Sequence, residues 1–520
     1  MTTADVVVAG AGHNSLICAA YLARAGREVV VLDARPVPGG GAVTEELLGP
    51  GYAIDSCSTG HTLIQANPLL ARDELGLLGE QGVEYLAPDP VAHVAFPDGE
   101  QLTMWLDVER TVEELARFSR RDAAGYRRLL ADYDAVKDAF NAARFTPVGM
   151  GPSLEQRLRE HPVWLRRNAL SAYDVVRHEF ESRHVRAFLL WQAFQTLVSV
   201  DLPGSGALVY SIVYGRQKRS WTLPRGGSGR LTDALVRVIE AHGGTVMCGR
   251  TVTRLVVEHG RCTGVETDDG ERWSAREAVV STIHVKHLID MAPPDCWDEA
   301  FRYGVETFDA GIPAFVVFLG TSAPPVFSGG HTAVSAGLAG WAEELVAGCR
   351  AVRDGRYVRD APWLLVGTPT LADPSRAPAG HHTVKLISPQ AYLPELDKEE
   401  HARHQLTTLR RFCPGFTDEV VLASLVRGPA DIEAANPHMI RGTFHGGDRG
   451  LPFSGALRPA PGWAQHRMPI RGLYQTGGTT HPGGSITGGP GRNAAAVVLQ
   501  DLGTSIEEVV DGGRARALGR

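Results

Sequence analysis

Val6, Val7 and Val8 follow Asp5 as a β-branched run with glycines just behind it, which predicts a buried parallel strand. From His13 to Ala25 the apolar positions Leu16, Ile17, Ala19, Ala20, Leu22 and Ala23 recur at helical spacing, and Gly26 ends that helix. A second apolar run, Val29 to Leu32, completes a strand–helix–strand unit. From Val108 the pattern turns helical: Leu115, Phe118, Tyr126, Leu129, Leu130, Tyr133, Val136 and Phe140 return at three- and four-residue steps, and helices are expected to about residue 215. Leu231 to Glu240 is an amphipathic helix closed by Gly243-Gly244, with a strand at Thr245 to Cys248. Alternation over Val252–Val257 and Cys262–Thr267 predicts a hairpin turning at His259-Gly260. Strand-like runs at Ala314–Leu319, Trp363–Val366 and Thr383–Ile387 follow, with one helix over Glu399–Phe412. A last helix starts near Pro490-Gly491 and runs to Leu499, and the tail after Asp511 is expected to be loose.

The chemistry sits between these elements. Gly10-Ala11-Gly12 lies between the first strand and the first helix, where Gly10 permits a tight turn and Gly12 lets backbone approach a pyrophosphate. The helix N-terminus suits phosphate, and Asp33 closes the second strand where a ribose diol would be held. Ser15 stands at the third glycine position as a small substitute. With 59 glycines in 520 residues such a string can arise by accident, but its place between strand, helix and acid argues for a dinucleotide. Arg35 with Gly39-Gly40 and a second glycine block, Gly477-Gly478 through His481, Gly484 and Gly491, shift the reading from NAD to FAD.

Ala187 to Tyr214 carries a single charge, Asp201, and Asp201-Leu202-Pro203-Gly204 interrupts it, so it is not one continuous spanning helix. A buried helix pair is the favoured reading. The other is the apolar wall of a tunnel for a lipophilic substrate, with peripheral contact to a membrane, and the two are compatible. Net charge of −7 gives no basis for nucleic-acid binding. Seven scattered cysteines without a CxxC form neither a disulfide framework nor a zinc site; no metal is expected, and a cytoplasmic location is. His401 and His404 share a helix face without a third ligand and are expected at a solvated surface.

The two glycine blocks, Gly226-Gly227-Ser228-Gly229 with Leu231, Asp122-Ala123 with Tyr126, Arg458-Pro459-Ala460-Pro461-Gly462 and Gly491-Arg492-Asn493 together resemble the phytoene (carotenoid) desaturase-like branch of the flavin amine oxidase superfamily. The resemblance implies an α/β fold: a Rossmann-like, discontinuous FAD-binding domain (1–105, 216–290, 461–520) plus a mixed α+β substrate domain (291–460) with a helical subregion (106–215). FAD is expected on Gly10, Gly12, His13, Asn14, Ser15, Asp33, Ala34, Arg35, Gly39, Gly40, Gly41 and Ala42. Val252 would touch adenine, and Gly477, Gly478, His481, Gly484, Ser485 and Ile486 would lie at the ring, with Gly488 and Gly489 crowding it. The last helix is expected to aim its N-terminus at the flavin edge that gains negative charge on reduction.

The candidates for proton abstraction are His445, in Phe444-His445-Gly446-Gly447, and His61, which follows Asp55-Ser56-Cys57-Ser58-Thr59-Gly60. Nineteen histidines make a structural role the commoner one for each, and Cys57 is expected to be a small buried residue. Only five lysines are present and none stands at an evident flavin-facing position, which disfavours a lysine–water relay. The leading function is removal of two hydrogens from a lipophilic or natural-product small molecule by hydride transfer to flavin, with oxygen, a quinone or another carrier reoxidising it. A non-redox FAD-dependent double-bond isomerase and a flavin-free prenyl-protein escort are the alternatives. Retention of both glycine blocks argues against the escort.

Overall fold

The computed structural model describes residues 2–517. Its first sheet has seven strands. β1 (Thr2–Ala9) lies between β2 (Val29–Asp33) and the strand Arg272–Ser281, parallel to both, and Thr245–Cys248 pairs with the outer edge of β2. The hairpin Val252–Glu258/Arg261–Thr267 and the short strand Leu473–Gln475 both pair with Arg272–Ser281.

Alternation along β1 decides what covers each face. Val6 and Val8 pack under α1 (His13–Arg24) with the helices Gly229–Ala241 and Gly489–Asp501. Val7 and Ala9 meet Leu255, Val265, Trp297 and Phe301 on the other side. α1 is buried all round because it is wedged between the other two helices, which accounts for its run of small residues.

The second sheet runs Val421–Arg427, Ala314–Thr321, His382–Pro389, Trp363–Gly367, Ser335–Ala339, Ala92–Ala95, Gln101–Met104. It is antiparallel except where Ser335–Ala339 meets Ala92–Ala95. The strands of 92–104, which precede the boundary expected at residue 105, pair within this sheet. One face packs on the helix Lys398–Arg410 through Phe315, Val317, Leu386 and Leu409. The other carries the helical region, including Arg120–Asp134, Arg183–Phe194 and Gly206–Arg219. Trp191 donates to the Leu364 carbonyl (3.2 Å) and Trp363 to that of Trp191 (3.0 Å), pinning the Arg183–Phe194 helix to the sheet.

Ala187–Tyr214 is therefore the buried helix pair, broken at 195–205. Among the described residues no helix is long and apolar enough to cross a membrane. Two expectations change. A helix, Ile506–Ala517, occupies most of the tail expected to be loose, and 518–520 lie outside the described residues. His401 is buried, its ring between Tyr357, Gln390 and Gln405, while His404 pairs with Asp360.

Asp55, on the short strand Ile54–Asp55, and Arg376, in the loop between the strands Trp363–Gly367 and His382–Pro389 of the second sheet, form a buried ion pair at 2.7 Å. Asp55 also accepts from the Ser228 N–H (2.8 Å) and the Thr44 hydroxyl (2.7 Å), and Arg376 donates to the Ala53 carbonyl. Burial alone would raise the Asp55 carboxyl, but Arg376 and these donors hold it below the usual range. Removing one partner of such a pair costs about 3–5 kcal/mol. Arg376→Met is expected to lower the urea midpoint of unfolding accordingly. Because the folded carboxyl titrates lower than the unfolded one, at about 3.9, its contribution is complete above that pH. It is lost as pH falls through the folded value, so acid unfolding of the wild type is expected to be steeper than that of the variant.

Candidate functional site

Gly10 turns the chain with φ +97°, and a Cβ there would stand 2.4 Å from Thr282 Cγ2. Gly477, in the distant second block, meets the same residue: φ +89°, with a Cβ 2.4 Å from Thr282 Oγ1. Thr282, which follows the strand Arg272–Ser281, therefore explains a glycine in each block and lines the cleft between them. α1 starts after Gly12 with no side-chain cap and no acid in its first turn, leaving its N-terminal charge for a ligand.

Asp33 accepts from the Ala11 N–H (2.5 Å) and the Arg35 N–H (2.8 Å), which fixes its carboxylate at the cleft with lone pairs to spare. Burial raises its pKa, and the two N–H donors oppose the shift. Arg35 donates to the Gly40 carbonyl (3.1 Å) and pairs with Glu45, folding the Gly39–Gly41 turn back over Gly12.

The cleft spans about 1410 Å³ of space between protein atoms, open solvent at its mouth included. On its wall stand Gly10, Gly12, His13, Asn14, Asp33, Ala34, Arg35, Gly40, Gly41 and Val252, facing Gly477, Gly478, Gly484 and Ser485. A Cβ on Gly12 would meet no protein atom closer than 3.9 Å, so a side chain there would fill the cleft rather than clash with the fold. An uncapped helix start, a fixed carboxylate and bare backbone between them fit an extended dinucleotide.

Seven expected contacts are not on this wall: Ser15, Gly39, Ala42, His481, Ile486, Gly488 and Gly489. Ser15 donates to the carbonyls of Gly10 (2.6 Å) and Gly12 (2.9 Å), so the residue in the third glycine place ties the turn. Gly39 abuts Ala42, which is buried in the core. The His481 ring reaches the Ala143 carbonyl (2.8 Å) in the helical region. Gly488 and Gly489 pack on Asn67, Ile17 and Pro482 instead of crowding a ring. The first-turn N–H groups of Gly489 and Gly491 are taken by Thr487 and Asn14, so the Gly484–Ile486 turn faces the cavities in place of the helix end.

A second cavity adjoins the cleft, and His13, Gly41, Phe444, His445 and Ser485 line both. Its walls are apolar, with Leu63, Leu197, Ile212, Trp221, Trp363 and Ile486. His445 stands at the junction. Burial lowers its pKa to about 3, with Arg449 and Arg458 acting in the same direction, so the ring is neutral; Nδ1 is buried without a partner. Its carbonyl would lie 2.0 Å from a Cβ on Gly484 and 2.7 Å from one on Gly478, the packing reason for those two glycines. Buried Arg458 donates to the carbonyls of Asp448 (2.5 Å), Phe453 (2.9 Å) and Gly478, stapling this loop to the second block.

His61 is on neither wall. Its Nε2 meets Ser228 Oγ (3.0 Å) and its Nδ1 the Tyr85 hydroxyl (3.3 Å), and burial lowers it to about 3, so it braces the Gly226–Gly229 loop. Lysine was missed. Lys385 lines the second cavity, its Nζ donating to the carbonyls of Asp55 (2.9 Å) and Cys57. Burial lowers it to about 8, with Cys57 and Asp55 opposing. The available signal was a lone lysine among Val384, Leu386 and Ile387, whose odd positions face the cavity. The Cys57 thiol is pushed up to about 11 by burial and is inert at neutral pH. No group of histidines, cysteines and carboxylates among the described residues could hold a metal ion.

The family model for flavin-containing amine oxidoreductases matches residues 16–499. The chain belongs to this family. It is 29% identical to "Pyridine nucleotide-disulfide oxidoreductase domain-containing protein 2" of Mus musculus, covering 96% of this chain and 94% of the relative. A limonene dehydrogenase chain of Castellaniella defragrans is also 29% identical (96% and 95% covered), and a lycopene-forming phytoene desaturase of Pseudescherichia vulneris 26% (95% and 99%). Putrescine oxidase bound to putrescine shares the fold at a TM-score of 0.64 and 14% identity, with 96% and 99% of the two chains covered. The protein is thus an FAD-dependent oxidoreductase of α/β fold, as the phytoene desaturase-like resemblance implied.

Gly12→Val is expected to give a folded protein with the far-UV circular dichroism of the wild type but no yellow flavin absorbance after purification. Retention of wild-type flavin content would contradict the assignment of this cleft.

Proposed function

We propose that the enzyme removes two hydrogens from adjacent positions of a lipophilic small molecule held in the apolar cavity. The observation that carries this reading is the shared wall: the cleft with the dinucleotide features and the apolar cavity meet at His13, Gly41, Phe444, His445 and Ser485. The names of two relatives, limonene dehydrogenase and phytoene desaturase, refer to hydrocarbons and support a lipophilic substrate. FAD would be held by the Gly10–Asn14 turn, Asp33 and Arg35, and by the Gly477–Ser485 block; bound there, it supplies acceptance of two electrons with hydrogen. The cofactor unit is read as residues 1–91, 216–290 and 461–520, with the second sheet and the helical region forming the substrate side. Electrons leave the enzyme to oxygen, a quinone or another carrier.

The chain supplies the remaining chemistry. Trp221, Trp363 and Ile212 hold an apolar body and exclude water. Removal of two hydrogens releases one as a proton, and Lys385 Nζ takes it. As a neutral amine it spends two N–H groups on the Asp55 and Cys57 carbonyls and turns its lone pair to the cavity. With a pKa of about 8 it suits proton acceptance near neutral pH, whereas His445, at about 3, is too weak a base and positions the substrate instead. His61 has no part in this.

Anaerobic addition of size-fractionated apolar extract from the source cells is expected to bleach the flavin absorbance. A band that no fraction bleaches would favour the isomerase. With the bleaching fraction, the rate is expected to rise as pH climbs through about 8, because the unprotonated amine is the active form. Lys385→Met is expected to slow bleaching by about 10²- to 10⁴-fold at unchanged flavin content. A flat pH profile with a fast Lys385→Met variant would contradict the role of Lys385.

A further inference from the structure

Arg216, on the Gly206–Arg219 helix, is 4% exposed and stands on the wall of the apolar cavity. Its Nη1 donates to Gln192 Oε1 and its Nη2 to Gln195 Oε1. Two of its five N–H groups are spent in this way, both on neutral oxygens. A buried guanidinium is costly unless an anion compensates it, and carboxamides orient the charge without cancelling it. Burial alone accounts for its lowered pKa, with no carboxylate opposing the shift.

A second donor points the same way. Gln195 also lines the cavity, and since its oxygen receives Arg216, its Nε2 is left buried without a partner. Among the described residues that line the cavity, none is an aspartate or glutamate, and the other basic side chains are Lys385, His13 and His445. An apolar chamber with convergent donors and no acid does not suit a protonated amine, and a plain hydrocarbon would leave Arg216 uncompensated.

We propose that this cavity selects apolar molecules carrying a carboxylate, which seats on the Arg216 guanidinium and the Gln195 amide while the apolar body lies along the Ile212, Trp221 and Leu365 wall. The proposal rests on the reading that this cavity is the substrate site, and it narrows the substrate class to lipophilic acids. It also separates this chain from putrescine oxidase, whose named ligand is a diamine.

The test is calorimetric titration of the FAD-loaded protein with decanoate, decan-1-ol and decylamine, three probes of one chain length and different head groups. Decanoate is expected to bind about ten- to a hundredfold more tightly than the other two, the range for hydrogen bonds to a charged group. Arg216→Gln is expected to remove that preference while leaving decan-1-ol binding unchanged, and Arg216→Lys to keep part of it. Should Arg216→Gln fail to fold, the wild-type ranking and the Arg216→Lys and Gln195→Leu variants decide: both are expected to weaken decanoate alone. Equal affinity for the three probes, preference for the amine, or no measurable decanoate binding would overturn the proposal. Because the readout is heat, the two readings fail separately. Tight carboxylate binding with a flavin that no extract bleaches keeps the subsite and removes the dehydrogenase; bleaching by a compound without an acid group does the reverse.

Discussion

The buried ion pair between Asp55 and Arg376 is the constraint on which the site's geometry depends. Asp55 follows the stretch that carries the first glycine block, and its carboxylate gathers Thr44, the Ser228 N–H and Arg376. Its own carbonyl takes Lys385 from the second sheet. One residue therefore ties the segment after the first glycine block to the Gly226–Gly229 loop, to Arg376 and to the lysine on the wall of the apolar cavity. The pair is useful for what it positions, since two apolar residues of similar volume would serve stability as well or better.

A second set of contacts closes the site from the C-terminal side. The backbone of His445 lies so close to the Gly477–Ser485 turn that residues 478 and 484 have no room for a Cβ. Arg458 holds the arrangement by donating to carbonyls on both sides of the contact. Thr282 does the corresponding work between the two glycine blocks. Several glycines expected to touch the ligand thus have packing partners of their own, and what faces the cleft is the bare backbone that results.

The fold was legible where a local pattern determines local structure. The helix after Gly12, the hairpin around His259-Gly260 and the helix ending near Leu499 lie within a residue or two of their expected places, and the strand predicted from the Val6–Val8 run starts four residues earlier, at Thr2. Asp33 and the glycines at 10, 12, 40 and 41 line the cleft because their roles come from their position in one strand–turn–helix unit. Roles that depend on tertiary contact were not legible. His61 looked poised by its neighbours in sequence, yet Ser228, far along the chain, and Tyr85 claim its two ring nitrogens. Lys385, a lone lysine in an apolar run, and Arg216 acquire their roles only where strand and helix bury them beside the same cavity. The strands of 92–104 joined the second sheet because pairing partners, unlike strand propensity, are set by the whole fold.

The proposed reaction requires the cofactor cleft and the apolar cavity to form one continuous site meeting at His445. A crystal structure of the FAD-loaded protein with decanoate tests it most directly. Density for the dinucleotide is expected to run from Asp33 past Gly12 to the Gly484–Ile486 turn, with the flavin ring at the His445 junction and open to the cavity that holds the acid. A ring lying elsewhere, or a protein wall between ring and ligand, would contradict it.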